Sequence, residues 1–212
     1  DTNLDLINTY QVVRDNPYEL LEHLNTYVNS EEQFYKVRAQ KPEQLSKVER
    51  ASRLIYLNKT CFNGLYRVNK KGEFNVPYGK RKNPNICDES TITNCHSVLS
   101  GVDILHSDFD KTLQNFVNEN DLVFLDPPYV PVGEYSDFKR YTKDFFSNED
   151  HIRLKNEVDR IVKLGAHVIL TNSDAPFVLE LFKDYKIKII ETRRSISSKS
   201  TTRKGRDIIV YI

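Results

Sequence analysis

The stretch "DLVFLDPPY", residues 121–129, joins an apolar run to a carboxylate, two prolines and a tyrosine. The run has the composition of a buried β-strand. Because proline lacks an N–H and fixes φ, Pro127 and Pro128 end the strand ladder and stiffen the turn. The residue before each proline is held extended, which leaves the Pro127 carbonyl without a ladder partner. We therefore predict a strand that stops with two fixed acceptors side by side, the Asp126 carboxylate and the Pro127 carbonyl.

Two acceptors beside an aromatic ring suit a flat group with two N–H donors, such as the exocyclic amine of a nucleobase. The lone pair of such an amine is conjugated into its ring, so the amine is a poor nucleophile. Asp126 and the Pro127 carbonyl would shift charge onto the nitrogen as it attacks an electrophile, and Tyr129 would stack on the ring. Catalysis would then come from positioning and electrostatics. The alternative for Asp-Pro-Pro is an ordinary surface turn.

The surrounding sequence predicts a sheet with helices between its strands. The predicted strands are residues 102–109, 121–129, 166–174, 185–195 and 206–212, and the helices between them are 148–165 and 175–184. This alternation is typical of a mostly parallel sheet covered on both faces. Ligands gather beyond the carboxyl ends of such strands. Three of them end in polar stretches: Asp108-Phe109, Asp126-Pro127-Pro128-Tyr129 and Asn172-Ser173-Asp174.

The first half of the chain is predicted to be helical, with a long irregular segment after the helices. Apolar spacing predicts helices over residues 3–14, 18–28 and 42–62, with Asn16 as the N-cap and Pro17 as the first residue of the second helix. Residues 58–84 then combine glycine, asparagine and proline with aromatic and basic side chains. Long irregular insertions are more often binding surfaces than filler.

Length and composition narrow the class of protein. The chain of 212 residues is long enough for one domain with a modest insertion. It contains no stretch of roughly 20 apolar residues and no signal-like start, so we expect a cytoplasmic protein without a membrane partner. Its three cysteines lack Cys-x-x-Cys spacing, so we expect free thiols and no metal site.

Charge is distributed unevenly. The net charge is only +1, but residues 58–84 and 193–206 are strongly basic. Local basic patches favour binding to a polyanion such as nucleic acid. The alternative is two solvated lysine-rich loops.

Together "LVFLDPPYVP", the segment "YLNKTCFNGLYRVNKKGEFNVPYGKRKNP" before it and "RRSISSKSTTRKGRDIIVYI" after it resemble the Dam-type DNA adenine N6-methyltransferase family. The resemblance implies an α/β, Rossmann-like S-adenosylmethionine-dependent methyltransferase fold with a mainly parallel sheet. Residues 1–15 and 96–212 would form the catalytic domain, and residues 16–95 a small helical and loop-rich target-recognition domain. The expected partner is double-stranded DNA, with no obligate protein partner.

The implied activity is transfer of a methyl group from S-adenosylmethionine to N6 of an adenine flipped out of the duplex, with GATC as the suggested target. The implied catalytic residues are Asp126, Pro127, Pro128 and Tyr129. The implied cofactor-binding residues are Asp1, Asp108, Phe109 and Asp126. Read alone, Asp1 is a terminal acid and Asp108 a helix N-cap.

The resemblance also implies DNA contacts. Arg67 is the candidate for a bidentate guanine contact, because its planar fork matches O6 and N7. Asn63, Leu65, Asn75 and Pro77 would touch or position neighbouring bases, and Phe62 or Tyr66 would fill the gap left by the flipped adenine. The implied phosphate contacts are Lys59, Lys70, Lys71, Lys80, Arg81, Lys82, Arg193, Arg194, Ser197, Ser198 and Arg203. Residues 130–146, with Phe138, Tyr141 and Phe146, would form a flap, or these aromatics would be plain hydrophobic anchors.

Two departures from the family pattern qualify these expectations. The family's Lys-Trp-Ala-Gly-Gly-Lys-like segment and Phe-x-Gly-x-Gly turn, which cradle the cofactor, do not occur here, and the chain has no methionine. We therefore expect it to lack an N-terminal piece. Lys80-Arg81 replaces the Arg-Tyr of many relatives, which puts one base contact in doubt. The rival functions are amine methylation of RNA or of protein glutamine, and DNA binding without catalysis.

Overall fold

The computed structural model describes residues 1–69, 71–132, 146–193 and 204–212. These residues divide into two compact units, Asp1–Ser107 and the described residues from Asp108 onward. In these ranges no helix is long and apolar enough to cross a membrane. Cys61, Cys87 and Cys95 are free thiols.

The first unit contains five α-helices within its described residues. They are α1 (Leu4–Asp15), α2 (Pro17–Leu24), α3 (Glu31–Ala39), α4 (Lys47–Thr60) and α5 (Glu89–Leu99), with short 3-10 helices at Pro42–Gln44 and Phe62–Gly64. The three predicted helices are confirmed, whereas α3 and α5 were not predicted. Helix α1 packs against α4 and α5.

Local sequence explains where α4 begins and which face it buries. Ser46 and Glu49 form a reciprocal capping box, an arrangement that stabilises a helix start by about 1 kcal/mol. Ala51 and Leu57, on the face predicted to be apolar, are fully buried. By contrast Asn16, at the N-cap of α2, makes no capping bond with its side chain. The apolar face of α4 thus anchors the first unit.

Two apolar clusters lie on this helix. The first joins α4 to α1, α2 and α5 through Val12, Val13, Leu20, Leu21, Leu24, Ala51 and Ile92. The second joins α4 to α3 and to the segment that follows α4, through Phe34, Val37, Tyr56, Leu57, Cys61, Phe74 and Val76. The irregular segment at residues 58–84 is therefore fixed to a rigid helical base.

The second unit contains a sheet and three helices within its described residues. The elements are α6 (Phe109–Phe116), β1 (Leu122–Leu125), α7 (Asn148–Lys163), β2 (His167–Ser173), α8 (Pro176–Leu181), β3 (Lys186–Arg193) and β4 (Lys204–Tyr211). The strand order is β1-β2-β4-β3. The α/β class is thus confirmed, and four of the five predicted strands are present.

The prediction of a mainly parallel sheet is wrong for the described strands. Strand β1 pairs with β2 in parallel, but β4 is antiparallel to both of its neighbours, β2 and β3. A parallel crossover needs about a dozen residues or more. Only residues 194–203 join β3 to β4, too few for that crossover. Strands β1, β2 and β3 still run in one direction, as predicted, but β4 is inserted between two of them in reverse.

The prediction of a strand at residues 102–109 is also wrong. Residues 102–108 form neither helix nor strand, and α6 begins at Phe109. Helix α1 and the N-terminal amino group take the carbonyls that a sheet neighbour would use. The bonds run from Arg14 to the Val102 carbonyl (2.7 Å), from Gln11 to Ile104 (3.0 Å) and from the Asp1 amino group to Leu105 (3.2 Å).

One face of the sheet carries the core of the second unit. Val158 and Ile161 of α7 and Val178 of α8 are fully buried in the same cluster as Val168, Leu170, Ile208 and Val210 of the sheet. On the other face of β1, Leu122 and Phe124 are 69% and 63% exposed. The predicted coverage on both faces is therefore wrong for β1 in the described part of the chain.

Candidate active site

The sheet positions a turn at residues 126–130, which we call the catalytic turn. The pairing of β1 with β2 stops at Leu125, directly before the exposed Asp126. Neither proline that follows has an N–H, so the ladder cannot continue. No described residue donates a hydrogen bond to the Pro127 carbonyl. The turn therefore presents a carboxylate and an unused carbonyl next to each other.

Strand β2 extends three residues beyond this point, and each of the three contacts the turn. Thr171 donates from Oγ1 to Asp126 Oδ1 at 2.5 Å. Asn172 Oδ1 accepts the Val130 N–H at 3.1 Å, and Ser173 Oγ donates to the Val130 carbonyl at 2.6 Å. Asn172 and Ser173 are fully buried. Side chains of β2 thus replace the ladder that the prolines interrupt, at both ends of the turn.

Tyr129 is half-buried beside the same groups. Burial raises the pKa of its phenol, and the charges of Asp126 and Asp207 raise it further, against the opposing effect of a hydrogen bond with Thr171. The phenol therefore stays neutral at physiological pH. Its hydroxyl end lies near Asp126 and Thr171, which ties the tyrosine to the carboxylate.

A buried histidine supports the middle of the turn. His151 of α7 is only 2% exposed, and burial lowers its pKa, against the opposing effects of the Asp150 charge and a hydrogen bond with the Pro128 backbone. Because proline has no N–H, the imidazole donates to the Pro128 carbonyl. The rings of Phe146 and Phe177 meet it edge-on, at centroid distances of 4.7 and 6.3 Å. A neutral imidazole in an apolar niche therefore holds the second proline.

The candidate cofactor residues Asp108 and Phe109 lie at the start of α6. Asp108 caps this helix, accepting the Phe109 N–H. Arg153 forms ion pairs with Asp108 (3.1 Å), Asp110 (2.6 Å) and Asp150 (3.0 Å), and its guanidinium lies 4.3 Å from the centre of the Phe109 ring. The Phe109 ring is 5.8 Å from that of Phe146, which contacts His151. A chain of aromatic contacts thus links these residues to the catalytic turn.

Asp1, the third candidate cofactor residue, is exposed in the first unit. Its Oδ1 accepts the Asn3 N–H at 2.7 Å, and its carbonyl accepts the Ser107 N–H at 3.2 Å. The side chain is thus held at the start of α1 with its carboxylate open to solvent.

The basic segment at residues 58–84, which we call the recognition segment, contains a short hairpin. Val68 and Phe74 form an antiparallel bridge, and the Arg67 carbonyl accepts the Asn75 N–H at 3.0 Å. Asn69 Oδ1 accepts two backbone N–H groups within the turn. The exposed Arg67 donates from Nε to Asn75 Oδ1 at 2.7 Å and from Nη2 to the Asn75 carbonyl at 3.3 Å. Asn75 therefore orients the Arg67 guanidinium.

A close approach of two backbone stretches shapes the base of the recognition segment. A Cβ at Gly79 would lie 2.3 Å from the Cys61 carbonyl oxygen, so only glycine fits there. The Phe62 N–H donates to the Pro77 carbonyl at 2.9 Å, and Asn63 takes a left-handed φ of 54°. The Phe62 ring is left 51% exposed. The backbone thus holds an aromatic side chain outward.

The remaining predicted DNA contacts differ in exposure. Pro77, Lys80 and Arg81 are exposed, whereas Lys59 is half-buried. Leu65 packs against the second apolar cluster of the first unit. The residues that lie outside the description are Lys70, Phe138, Tyr141, Arg194, Ser197, Ser198, Arg203 and the side chain of Arg193. The DNA roles of all these residues stay predictions.

Sequence reasoning missed the supports of the catalytic turn. It noted Asn172 and Ser173 only as polar residues at a strand end, and it gave no role to Thr171 or His151. A polar end on the strand that neighbours β1 was the available signal. Within the described ranges, no cluster of three histidine, cysteine or acidic side chains is placed to hold a metal ion.

Comparison with known proteins assigns the family. Residues 1–196 match the family described as D12 class N6 adenine-specific DNA methyltransferase. Type II methyltransferase M1.LlaDCHI of Lactococcus lactis subsp. cremoris is 40% identical over 99% of this chain and 77% of its own length. Type II methyltransferase M.MjaIII of Methanocaldococcus jannaschii is 39% identical over 96% and 75%. The DNA adenine methylase of Escherichia coli is 28% identical over 100% and 77%.

These matches cover the catalytic turn and the recognition segment together, so the resemblance to Dam-type enzymes is confirmed. The chain belongs to the D12 class N6 adenine-specific DNA methyltransferase family and is an adenine-specific DNA methyltransferase.

Proposed function

We propose that this enzyme transfers the methyl group of S-adenosylmethionine to N6 of an adenine flipped out of double-stranded DNA, with GATC as its target. The observation that carries the proposal is the exposed Asp126 carboxylate followed by a Pro127 carbonyl that no described residue uses. These are the two acceptors that an exocyclic amine with two N–H groups requires.

The chemistry follows from those two acceptors. The amine would donate one hydrogen to Asp126 and the other to the Pro127 carbonyl, which fixes the nitrogen and raises its electron density. Preorganised dipoles of this kind act where charge develops, without reorganising during the reaction. S-adenosylmethionine, when bound, would supply an electrophilic methyl group: its S–CH3 bond would break as the N–CH3 bond forms, S-adenosylhomocysteine would leave, and the amine would give up one proton. Tyr129 stays neutral beside Asp126 and offers its ring to the base.

Base flipping is required because the N6 amine is stacked and paired inside the duplex. An enzyme that modifies a base in duplex DNA must extrude it, at a cost of a few kcal/mol. Phe62, with half of its ring exposed on a fixed backbone, is the side chain that we propose fills the gap. Fluorescence of 2-aminopurine at the target position tests this step, and it should rise when the enzyme binds.

The residues proposed to hold the cofactor fit it to different degrees. The exposed Asp1 carboxylate, held through Oδ1 only, suits the two hydroxyls of a ribose. Phe109 offers a half-buried ring next to Phe146 for an adenine moiety. Asp108 is paired with Arg153 and caps α6, so it acts by fixing Phe109 as much as by direct contact. Asp126 is proposed to contact the cofactor as well as the substrate amine.

Arg67 is the proposed reader of guanine. Its bonds to Asn75 use Nε and one hydrogen of Nη2. A guanidinium has five N–H donors, so three remain, enough for a bidentate contact with O6 and N7. We also propose a division of roles along the chain: residues 16–95 recognise the target, and residues 1–15 with 96–212 carry out catalysis.

Cations of the recognition segment and of residues 193–206 are proposed to neutralise phosphates. Such contacts position the duplex without reading its sequence. Two of the relatives are named type II methyltransferases. We therefore infer a restriction-modification setting, in the cytoplasm, as the first to test.

A methyl-transfer assay tests the proposal. The protein is incubated with labelled S-adenosylmethionine and duplex oligonucleotides that differ only in a GATC site. We expect label on N6 of adenine in the GATC duplex alone. Binding of both duplexes without label would contradict the proposal, and label on both would leave methylation but refute the GATC target.

The Asp126→Ala variant is the matched control. It should bind the GATC duplex as tightly as the unaltered protein and transfer no measurable label. Full activity in this variant would refute the role of Asp126 even if the target is GATC.

A further inference from the structure

The carboxylate of Asp126 lies where the sheet no longer holds the chain. Leu125 is the last residue of β1 that pairs with β2, and the prolines remove the backbone donors that would have continued the ladder. An aspartate in this position could rotate about two side-chain bonds. Something other than the ladder must therefore fix it.

Thr171 is placed to do so. Leu170 pairs with Leu125, so Thr171 is the next residue along β2, beside Asp126 and on the same face of the sheet. Its Oγ1 lies 2.5 Å from Asp126 Oδ1 but 3.5 Å from the Leu125 carbonyl. A hydroxyl carries one hydrogen, and the shorter separation is typical of an O–H bonded to a carboxylate. Between these two acceptors, the hydrogen therefore goes to Asp126.

Tyr129 also reaches Asp126 from within the turn, but the other supports that come from β2 and α7 act elsewhere. Asn172 and Ser173 hold Val130, and His151 holds Pro128. Thr171 is the β2 side chain that contacts the carboxylate itself. A carboxylate accepts about four hydrogen bonds. A bond to Oδ1 therefore orients the group and still leaves acceptor sites for the amine.

We propose that Thr171 is a positioning residue that orients the Asp126 carboxylate toward the N6 amine of the target adenine. This inference rests on the proposed function, because Asp126 must first be the acceptor for that amine. Thr171 touches no reacting atom; it sets the direction in which Asp126 accepts. A misplacement of about 1 Å at such a group reduces turnover on the order of 100-fold.

The test compares three substitutions in the full chain. Thr171→Val keeps the branched shape that a strand favours and removes the hydroxyl. We expect kcat to fall about 10- to 100-fold, with KM for the duplex and for S-adenosylmethionine within about twofold. Thr171→Ser restores the hydroxyl without the methyl group and should recover most of kcat. Asp126→Ala should be inactive.

The outcomes separate the inference from the proposed function. An inactive Asp126→Ala with a fully active Thr171→Val overturns the role of Thr171 and leaves the proposed function standing. An active Asp126→Ala overturns the proposed function. If the valine variant has a lower unfolding midpoint, Thr171→Ala and Thr171→Ser decide: equal kcat in both overturns the inference, and a higher kcat for serine supports it.

Discussion

The catalytic turn and the recognition segment keep their shapes by different means. In the turn, side chains from β2 and α7 bind the backbone at Pro128 and Val130, which leaves the Asp126 carboxylate exposed and the Pro127 carbonyl without a described donor. In the recognition segment, backbone bonds and a glycine contact fix the chain, and its side chains Arg67 and Phe62 face solvent.

The difference fits the functions proposed above for the two regions. Chemistry at an amine needs acceptors whose positions do not change, so neighbouring elements supply the supports. Reading a base sequence needs exposed side chains that can be exchanged, so the frame beneath them is built from backbone. Substitutions in the two regions should therefore fail in different ways: loss of turnover at the turn, and loss of discrimination at the segment.

The largest expected effect is at Asp126. We expect Asp126→Ala to reduce kcat by about 1000-fold or more, the upper range for loss of one preorganised group in an active site. Because Asp126 is not part of the recognition segment, the Kd for the duplex should stay within about threefold of the unaltered protein. Single-turnover methylation and a filter-binding titration measure the two. A parallel loss of binding would break the comparison.

Gly79 tests the frame of the recognition segment. Its substitution by alanine would put Cβ 2.3 Å from the Cys61 carbonyl oxygen, and the backbone must shift. We expect the free energy of unfolding to fall by about 1–3 kcal/mol, with weaker duplex binding. Urea denaturation measures the change in the free energy of unfolding. The matched control is Lys82→Ala, an exposed position in the same segment, with a stability change within about 0.5 kcal/mol.

Arg67 tests discrimination. Arg67→Lys keeps the charge and loses the planar fork. The comparison is between the GATC duplex and a duplex in which the guanine proposed to contact Arg67 is replaced. We expect the preference for GATC to fall by about 1–3 kcal/mol, or roughly 10- to 100-fold in kcat/KM. Competition between the two duplexes measures it.

Lys82→Ala again serves as the control for Arg67→Lys, because loss of a phosphate contact weakens all sequences alike and lowers the salt dependence. If Lys82→Ala changes the preference and Arg67→Lys does not, the assignment of the two residues is wrong.

The smallest expected effect concerns pH and His151. Burial lowers its pKa from an ordinary value near 6.5. Between the lowered and the ordinary pKa the unfolded chain binds more protons than the folded chain, so stability rises with pH in that window. The unaltered protein should therefore lose stability as pH falls below about 6.5, by at most about 1.4 kcal/mol per pH unit from this group.

Urea denaturation at pH 7.5 and 5.5 measures this loss. His151→Phe removes the titrating group and should show a smaller loss than the unaltered protein between the two pH values. An identical loss in both proteins would mean that another group controls the acid response.

Much of the architecture was predictable from local pattern. Apolar spacing predicted α1, α2, α4 and α7, and composition predicted the four strands. The strand order was not predictable in the same way, because pairing depends on which segments meet in space. Val102, Ile104 and Leu105 made this stretch look like a strand, but Arg14, Gln11 and the terminal amino group bind the carbonyls of these three residues.

The candidate site also has a part that could be predicted from the sequence and a part that could not. Asp126, Pro127 and Tyr129 are adjacent in sequence, so their joint chemistry could be predicted from one short stretch. Thr171 lies 45 residues from Asp126 along the chain, and only the pairing of β1 with β2 makes them neighbours. Supports of this kind need the register of a sheet, which a single sequence does not specify.

The reversal of β4 also determines where the second basic run is attached. Strand β3 runs in the direction of β1, so Arg193 ends it at the edge of the sheet where Asp126 lies. Lys204 begins β4 opposite Arg193 at that same edge. Lengthening a connection whose ends are already adjacent costs little, about 0.6 kcal/mol for each doubling. Changes in the length of residues 194–203 should therefore cost the sheet little, so the DNA contacts proposed for this connection can be varied without altering the fold.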